Sequence, residues 1–388
     1  MLLIGSRTVT SSKPLSGRAA TRGWCPGVLD PMETGDGWLL RMRLPGGAIA
    51  VQQIRVVAAV ADEFGSGLID ITSRGNLQIR GVAADHIERA GGALVEAGLA
   101  LPDAAADSRR AIVASPLAGH DATAVRDSSP VVAELLSETY ADSVPSKFGV
   151  VVDDGGQWNL SGIDADIRVL AVADGWAVGL RGTANLVGWT MNPVDVLVSA
   201  TTLCVARGQR MDVIAAEFGT AALLAMVGSE GRPSTESFTA RIGRLLGVID
   251  HPDADRCNVL AAPFLGRVDV ATMAALADLA DERGAVLRFT TDHSVAICGV
   301  VRAEAPDVLA RLAELNFAVS ATDPRAVLSA CVGSRGCSAA HADTWAVAEQ
   351  MARATPSPLR AHLSACAKRC GAPADVTQLV ADTNGSFR

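Results

Sequence analysis

The chain has 388 residues, 49% hydrophobic and 20% charged, with a formal net charge of −8. That length allows two or three domains with cores of their own, and the composition excludes wholesale disorder. The acidic balance argues against a nonspecific nucleic-acid partner, and no apolar run approaches the roughly 18 residues that cross a bilayer. A cytoplasmic protein with no nucleic-acid or membrane partner is expected.

Residues 1–22 are expected to form a flexible lead, because Met1-Leu2-Leu3-Ile4 is too short for a signal-peptide core. The first structured unit, 23–103, has the strand–helix–strand order of a ferredoxin-like half. Arg41-Met42-Arg43-Leu44-Pro45-Gly46-Gly47 opens a strand-like segment, and Ile54, Val57, Ala58 and Ala61 follow at helical spacing. A β-rich run covers 68–82, and another helix is expected over 87–99. Residues 104–250 form an α/β domain. The first order then returns in 251–320, where Met273, Leu276, Leu279 and Ala280 share a helix face. A β-rich run over 286–300 and a helix over 304–315 complete that copy. Arg110-Ala111-Ile112-Val113-Ala114-Ser115-Pro116 aligns with Arg325-Ala326-Val327-Leu328-Ser329-Ala330-Cys331, which sets Pro116 opposite Cys331 and makes 321–388 a second α/β domain. The fold class expected is α+β, ordered A–B–A′–B′ about an approximate two-fold axis with a cleft between the halves. Chance similarity of Ala/Val-rich segments competes with this, and the shared order of Gly, Asp-Glu, Thr and Gly-Val landmarks outweighs it.

Four cysteines lie in the last domain. Cys331 and Cys337 are spaced C-x5-C, and Cys366 and Cys370 C-x3-C. Two short-spaced pairs can converge on one centre, and four thiolates are what a 4Fe-4S cluster requires. Zinc competes, although its structural pairs favour shorter gaps. A disulfide framework is disfavoured by the length of the chain and its few cysteines. Cys25, Cys204, Cys257 and Cys298 lack partner spacing, and Cys204 and Cys298 sit in apolar segments as inert thiols. Trp24, Trp38, Trp158, Trp176, Trp189 and Trp345 show no mutual spacing and default to core.

Together with the cysteines, Thr72-Ser73-Arg74-Gly75-Asn76-Leu77-Gln78, Ala114-Ser115-Pro116-Leu117-Ala118-Gly119 and Val144-Pro145-Ser146-Lys147-Phe148 make the chain resemble the nitrite/sulfite reductase superfamily over 22–375. The opening Arg22-Gly23-Trp24-Cys25-Pro26-Gly27 and the element Ser364-Ala365-Cys366-Ala367-Lys368-Arg369-Cys370 resemble the precorrin-3B synthase branch. That resemblance implies a ferredoxin-like and α/β architecture, a 4Fe-4S cluster on the four cysteines and a separate non-haem iron. It also implies hydroxylation and lactone formation on precorrin-3A with dioxygen, in aerobic cobalamin biosynthesis. No G-x-G-x-x-G follows a strand, so the electrons are expected from an external donor, an NADH-linked reductase or a ferredoxin. Two alternatives stand beside it: a siroheme-dependent nitrite or sulfite reductase, and a non-enzymatic iron–sulfur carrier or tetrapyrrole-binding protein.

The chain departs from the siroheme reductases at Gly149, where they present a second lysine after Lys147, and at Ala111, where they have asparagine. Asp292 stands where the first copy has Arg74, and the chain ends soon after Cys370, where relatives usually add a glycine-rich strand. A substrate rimmed by carboxylates calls for cations, and arginine meets a carboxylate with two hydrogen bonds. The candidates are Arg74, Asn76, Gln78, Arg80, Arg110 and Lys147. Strand alternation would place Arg74, Asn76, Gln78 and Arg80 on one face, opposite Leu77 and Ile79. An edge strand with one solvated face would explain the same pattern, and Asp107 offers Arg110 a local partner. His120, His341 and His362 are conceivable iron ligands, although none has His–His–carboxylate spacing.

Overall fold

The computed structural model describes residues 25–138, 144–145, 147–183, 186–232, 244–354, 360–373 and 376–388. The expected lead 1–22, Trp24 and Ser146 lie outside the described residues. The fold is α+β, and the described residues form three five-stranded sheets and one three-stranded sheet.

The first copy comprises β1 (Met32–Thr34), β2 (Gly37–Met42), β3 (Ala48–Ile49), α1 (Val51–Phe64), β4 (Leu68–Ile71), β5 (Leu77–Val82) and α2 (Ile87–Glu96). Helix α1 turns Ile54, Val57, Ala58 and Ala61 into the core, as their spacing demands. After α3 (Ala104–Ser108) come β6 (Ile112–Ala114), α4 (Ser129–Ser137), β7 (Val150–Asp153), β8 (Ile167–Val172), β9 (Gly175–Leu180) and β10 (Leu186–Thr190). Helices α5 (Pro193–Arg207), α6 (Met211–Phe218) and α7 (Thr220–Met226) cover that sheet.

The second copy repeats the plan with β11 (Gly247–Asp250), β12 (Arg256–Ala261), β13 (Arg267–Asp269), α8 (Val270–Glu282), β14 (Val286–Phe289), β15 (Val295–Val301) and α9 (Ala305–Glu314). The final sheet holds β16 (Leu328–Ala330), β17 (Ala361–Ser364) and β18 (Thr377–Val380), all parallel, with α10 (Thr344–Ala354) against it.

The two copies exchange a strand. The first sheet runs β1-β2-β5-β4-β13 and the second β11-β12-β15-β14-β3, so each is completed by the short strand of the other. Arg267 pairs with Asp70 in one exchange and Ala48 with Arg288 in the other. Helices α1 and α8 pack between the sheets, and one core cluster draws on both copies. Strand β5 is central, which corrects the edge-strand explanation of its polar residues.

Strand register also corrects the alignment of the α/β domains. Ile112 pairs with Val150 as Leu328 pairs with Ala361. Carried forward, that register sets Ser115, not Pro116, opposite Cys331. The slip arose because sequence alignment matched the residues before each strand, and the second copy enters its strand one residue later.

Candidate functional site

Each α/β sheet packs on the outer face of the opposite copy's sheet, and the two interfaces differ. Between the first α/β domain and the second copy, the space is filled by Val113, Leu117, Val151, Trp158, Leu160, Leu260, Ala296 and Cys298. Between the last α/β domain and the first copy lies a cavity of about 630 Å³. The repeat explains the contrast. Register places Arg41, Gln78 and Arg80 where the second copy has Leu260, Ala296 and Cys298. Apolar side chains close one interface; long polar ones hold the other apart.

All four expected cysteines line the cavity. Cys331 directly follows β16, and its Sγ accepts the Ala365 N–H at 3.2 Å. Burial pushes the Cys370 thiol up, and the nearby Cys366, Cys331 and Cys337 sulfurs add to the shift. Among the described residues, no three His, Cys, Asp or Glu side chains close on a single-ion site. Four cysteines on one cavity wall are the donor set a 4Fe-4S cluster would take, one thiolate to each iron.

The 331–337 loop is clamped from the first copy. A Cβ on Gly35 would stand 2.8 Å from Cys337 Cα, and one on Gly336 would stand 2.6 Å from Asp36 Oδ2. Asp36 in turn accepts from Arg80 Nε at 2.9 Å and Nη2 at 3.0 Å, while Arg80 also reaches the Gly336 carbonyl.

Behind that clamp is a charged lattice. Asp70 accepts from Arg80 Nη1 at 3.2 Å, Arg267 Nε at 2.7 Å and Gln78 Nε2 at 3.3 Å. Burial pushes the Asp70 carboxyl up, and Arg267 and Arg80 together outweigh it, holding it below the usual carboxylate range. Arg41 donates to Gln78 Oε1, and burial pushes its guanidinium down to about 10. Arg244 lines the cavity too; its Nη1 is closed off from solvent and has no hydrogen-bond partner among the described residues. Arginines and Lys368 outnumber Glu33 and Asp70 in the lining, so an acidic chain folds around a cationic hollow.

The structure divides the six expected substrate residues. Gln78 and Arg80 line the cavity, though Arg80 is committed to Asp36 and Asp70. Arg74 and Asn76 lie in the β4–β5 turn rather than on the strand face, because Thr72 N–H bonds the Asn76 carbonyl and Gly75 turns left-handed at φ +69°. Asn76 Oδ1 accepts from Leu44 N–H, and Arg74 Nη2 donates to the Asp164 carbonyl at 2.6 Å. Arg110 is outside the lining and pairs with Asp107 at 3.5 Å. Lys147 is exposed and also outside it. Gly149 lies beneath Arg74: a Cβ there would stand 2.8 Å from Arg74 Nη1, the far end of a flexible side chain.

Of the conceivable histidine ligands, only His362 lines the cavity. His120 instead hydrogen-bonds His251 at 3.1 Å between the first α/β domain and the second copy, and His341 is exposed. Cys204 and Cys298 are buried, and burial pushes both thiols up to about 12. Among the described residues no tryptophan lines the cavity; Trp158 and Trp176 are core. Sequence reasoning missed Arg41, Arg244, Arg267 and His293, although the Leu260, Ala296 and Cys298 contrast was available in the repeat.

The model for the nitrite/sulfite reductase ferredoxin-like half domain matches residues 30–97 and 249–315, the two strand-exchanging copies. A precorrin-3B synthase of Sinorhizobium sp is 31% identical over 93% of this chain and 82% of its own. The chain belongs to the nitrite/sulfite reductase superfamily. Within it, a ferredoxin–nitrite reductase of Synechococcus elongatus is 25% identical, covering 87% of this chain and 74% of its own. The Mycobacterium tuberculosis NirA structure shares the fold at a TM-score of 0.72 and 21% identity, covering 90% of this chain and 72% of that one. These relatives are oxidoreductases. No helix among the described residues is long and apolar enough to cross a membrane.

Proposed function

We propose that the chain is a precorrin-3B synthase, hydroxylating precorrin-3A with dioxygen and closing a lactone from its ring A acetate. The observation that carries this is the cationic, cysteine-lined hollow at one interface, opposite an apolar, filled twin. Similarity to the Sinorhizobium enzyme supports the choice of substrate.

Cys331, Cys337, Cys366 and Cys370 would hold a 4Fe-4S cluster, which when bound supplies single electrons at a potential set by its surroundings. An external donor, an NADH-linked reductase or a ferredoxin, would provide them. Arg244 and Lys368 offer charge to the rim carboxylates, and Arg41 sets the wall through Gln78. Asp70 keeps Arg80 and Arg267 in place, and a fixed cationic lattice orients a polyanion without reorganising on binding. Arg74, Asn76, Arg110 and Lys147, which do not line the cavity, would take no direct contact with the ligand.

The second reading, a siroheme-dependent nitrite or sulfite reductase, draws on the Synechococcus relative. It is disfavoured by Gly149, which supplies no side chain where those reductases present a second lysine. One preparation of known cluster content tests both. Supplied with reductant and isotopic dioxygen, it should convert precorrin-3A to a product heavier by one labelled oxygen. Six-electron reduction of nitrite or sulfite, with precorrin-3A untouched, would overturn the reading.

A further inference from the structure

The turn that carries Gly75 in the first copy carries His293 in the second. Thr72 N–H bonds Asn76 O at 2.9 Å as Thr290 N–H bonds Ser294 O at 3.0 Å. Gly75 has φ +69° and His293 φ +67°. Glycine takes that conformation freely, whereas a histidine there works against its own Cβ. In the first copy the position must be glycine, since a Cβ on Gly75 would stand 2.7 Å from the Phe289 carbonyl. In the second it holds an imidazole on the cavity wall.

The ring is oriented by one bond. Nδ1 lies 2.6 Å from the Ile71 carbonyl, and a carbonyl oxygen only accepts. Nδ1 therefore carries the proton, and in the neutral ring Nε2 carries the lone pair. Nε2 makes no hydrogen bond among the described residues. The other histidine in the lining differs: His362 shares Nδ1 with Ser329 at 2.9 Å, and its Nε2 is closed off from solvent. Around the cavity, arginines do not give up protons at neutral pH, and Asp70 is locked between Arg80 and Arg267.

Oxygen insertion consumes protons. Substrate, dioxygen, two electrons and two protons give hydroxylated substrate and water. The electrons come from the external donor, one oxygen atom enters the substrate, and the other leaves as water. We infer that His293 is the proton carrier of this cavity: Nε2 takes a proton from solvent and passes it to the oxygen that departs as water. This rests on the proposed chemistry, but nitrite or sulfite reduction would make the same demand.

Charges on every side tune the ring. Burial pushes the His293 imidazole down, and the Ile71 carbonyl opposes it. Arg244 and Arg267 lower it further, Asp292 raises it, and His362 stands near. Neutral at rest, the ring gains affinity for a proton when negative charge enters the cavity, so uptake follows the arrival of electrons or of an anionic ligand.

The test uses His293→Gly, which installs the residue the first copy already carries in this turn. The cluster-loaded variant should keep its iron and should bind uroporphyrin III, a tetrapyrrole polycarboxylate, about tenfold more weakly at neutral pH, the linked cost of the proton it no longer takes up. Turnover of precorrin-3A should fall about 10²-fold, the scale of acid–base assistance, and added imidazole should restore part of it. Calorimetry in two buffers should show about one proton taken up as the parent binds uroporphyrin III and none with the variant. Parental turnover in the variant, or parental proton uptake, would overturn the inference. If the parent leaves precorrin-3A untouched, the proposed function fails, and the proton-uptake comparison still decides the role of His293.

Discussion

Replacing Gly35 by alanine should empty the cluster site without touching a cysteine. Gly35 has no left-handed backbone to protect, so the substitution alone would be neutral or would stabilise by about 0.4–1 kcal/mol through the unfolded chain. Its surroundings reverse the sign. The new methyl would stand 2.8 Å from Cys337 Cα and 3.0 Å from its carbonyl carbon, and it would press on Ser338 N. Reaching ordinary contact at 3.4 Å requires a displacement of about 0.6 Å or more, and the atoms in the way are backbone, which cannot rotate aside. Overpacking of this kind costs about 1–3 kcal/mol. The easiest relief moves the 331–337 loop, and Cys337 moves with it. Iron and acid-labile sulfide per chain, measured after anaerobic reconstitution, should fall at least about twofold, with loss of the absorbance shoulder near ~400 nm that a cluster gives. Gly92→Ala is the control: it lies in α2 with nothing within 4 Å of its Cβ and should stabilise by about 0.5–1 kcal/mol. Full iron content and parental stability in Gly35→Ala would refute the clamp.

Three further outcomes follow from charges. Arg244→Ala should weaken uroporphyrin III binding by about 1.5–3 kcal/mol, the scale of a charged hydrogen bond, as read by fluorescence titration. Asp70→Ala should cost about 3–5 kcal/mol in denaturant midpoints at neutral pH, because it strands the Arg267 charge and leaves Arg80 to Asp36 alone. Since the Asp70 carboxyl is held below its ordinary value, its contribution is present above about pH 4 and fades as pH falls through its folded value, so the variant's deficit should shrink in acid. Asp154 has the opposite sign: burial pushes its carboxyl up to about 6, so its neutral form is stable in acid and stability is lost as pH rises through that value. Asp154→Asn should therefore stabilise by on the order of 2–3 kcal/mol at pH 8 and change little at pH 3, by thermal melts at both.

The repeat and the cysteine quartet were legible because each leaves a local trace. Ile54, Val57, Ala58 and Ala61 advertise a helix face, and the cysteine spacing advertises convergence. The exchange of β3 and β13 left none. Ala48–Ile49 spans two residues, too short to show alternation, and which sheet it completes is decided by the position of another copy. Arg74 was misplaced for a related reason: alternation assumes a continuous strand, and Gly75 breaks it with a left-handed turn. Arg80 shows the limit of residue type. The sequence identifies a cation on a polar face, while Asp36 reaches it from the β1–β2 turn and Asp70 from β4. Strand β18, which extends the last sheet beyond Cys370, lies in a stretch without strong alternation and was not expected.

The exchanged strands also set a schedule for synthesis. Asp70 meets Arg267 across 197 residues of chain, so the edge of β4 has no neighbour until the second copy has been made. At roughly 5–20 residues per second, that wait lasts about 10–40 s on the ribosome. An unpaired edge flanked by apolar residues invites pairing with other nascent chains. That edge is closed only by β13, so truncation anywhere before Arg267 should yield an insoluble half rather than a smaller working one.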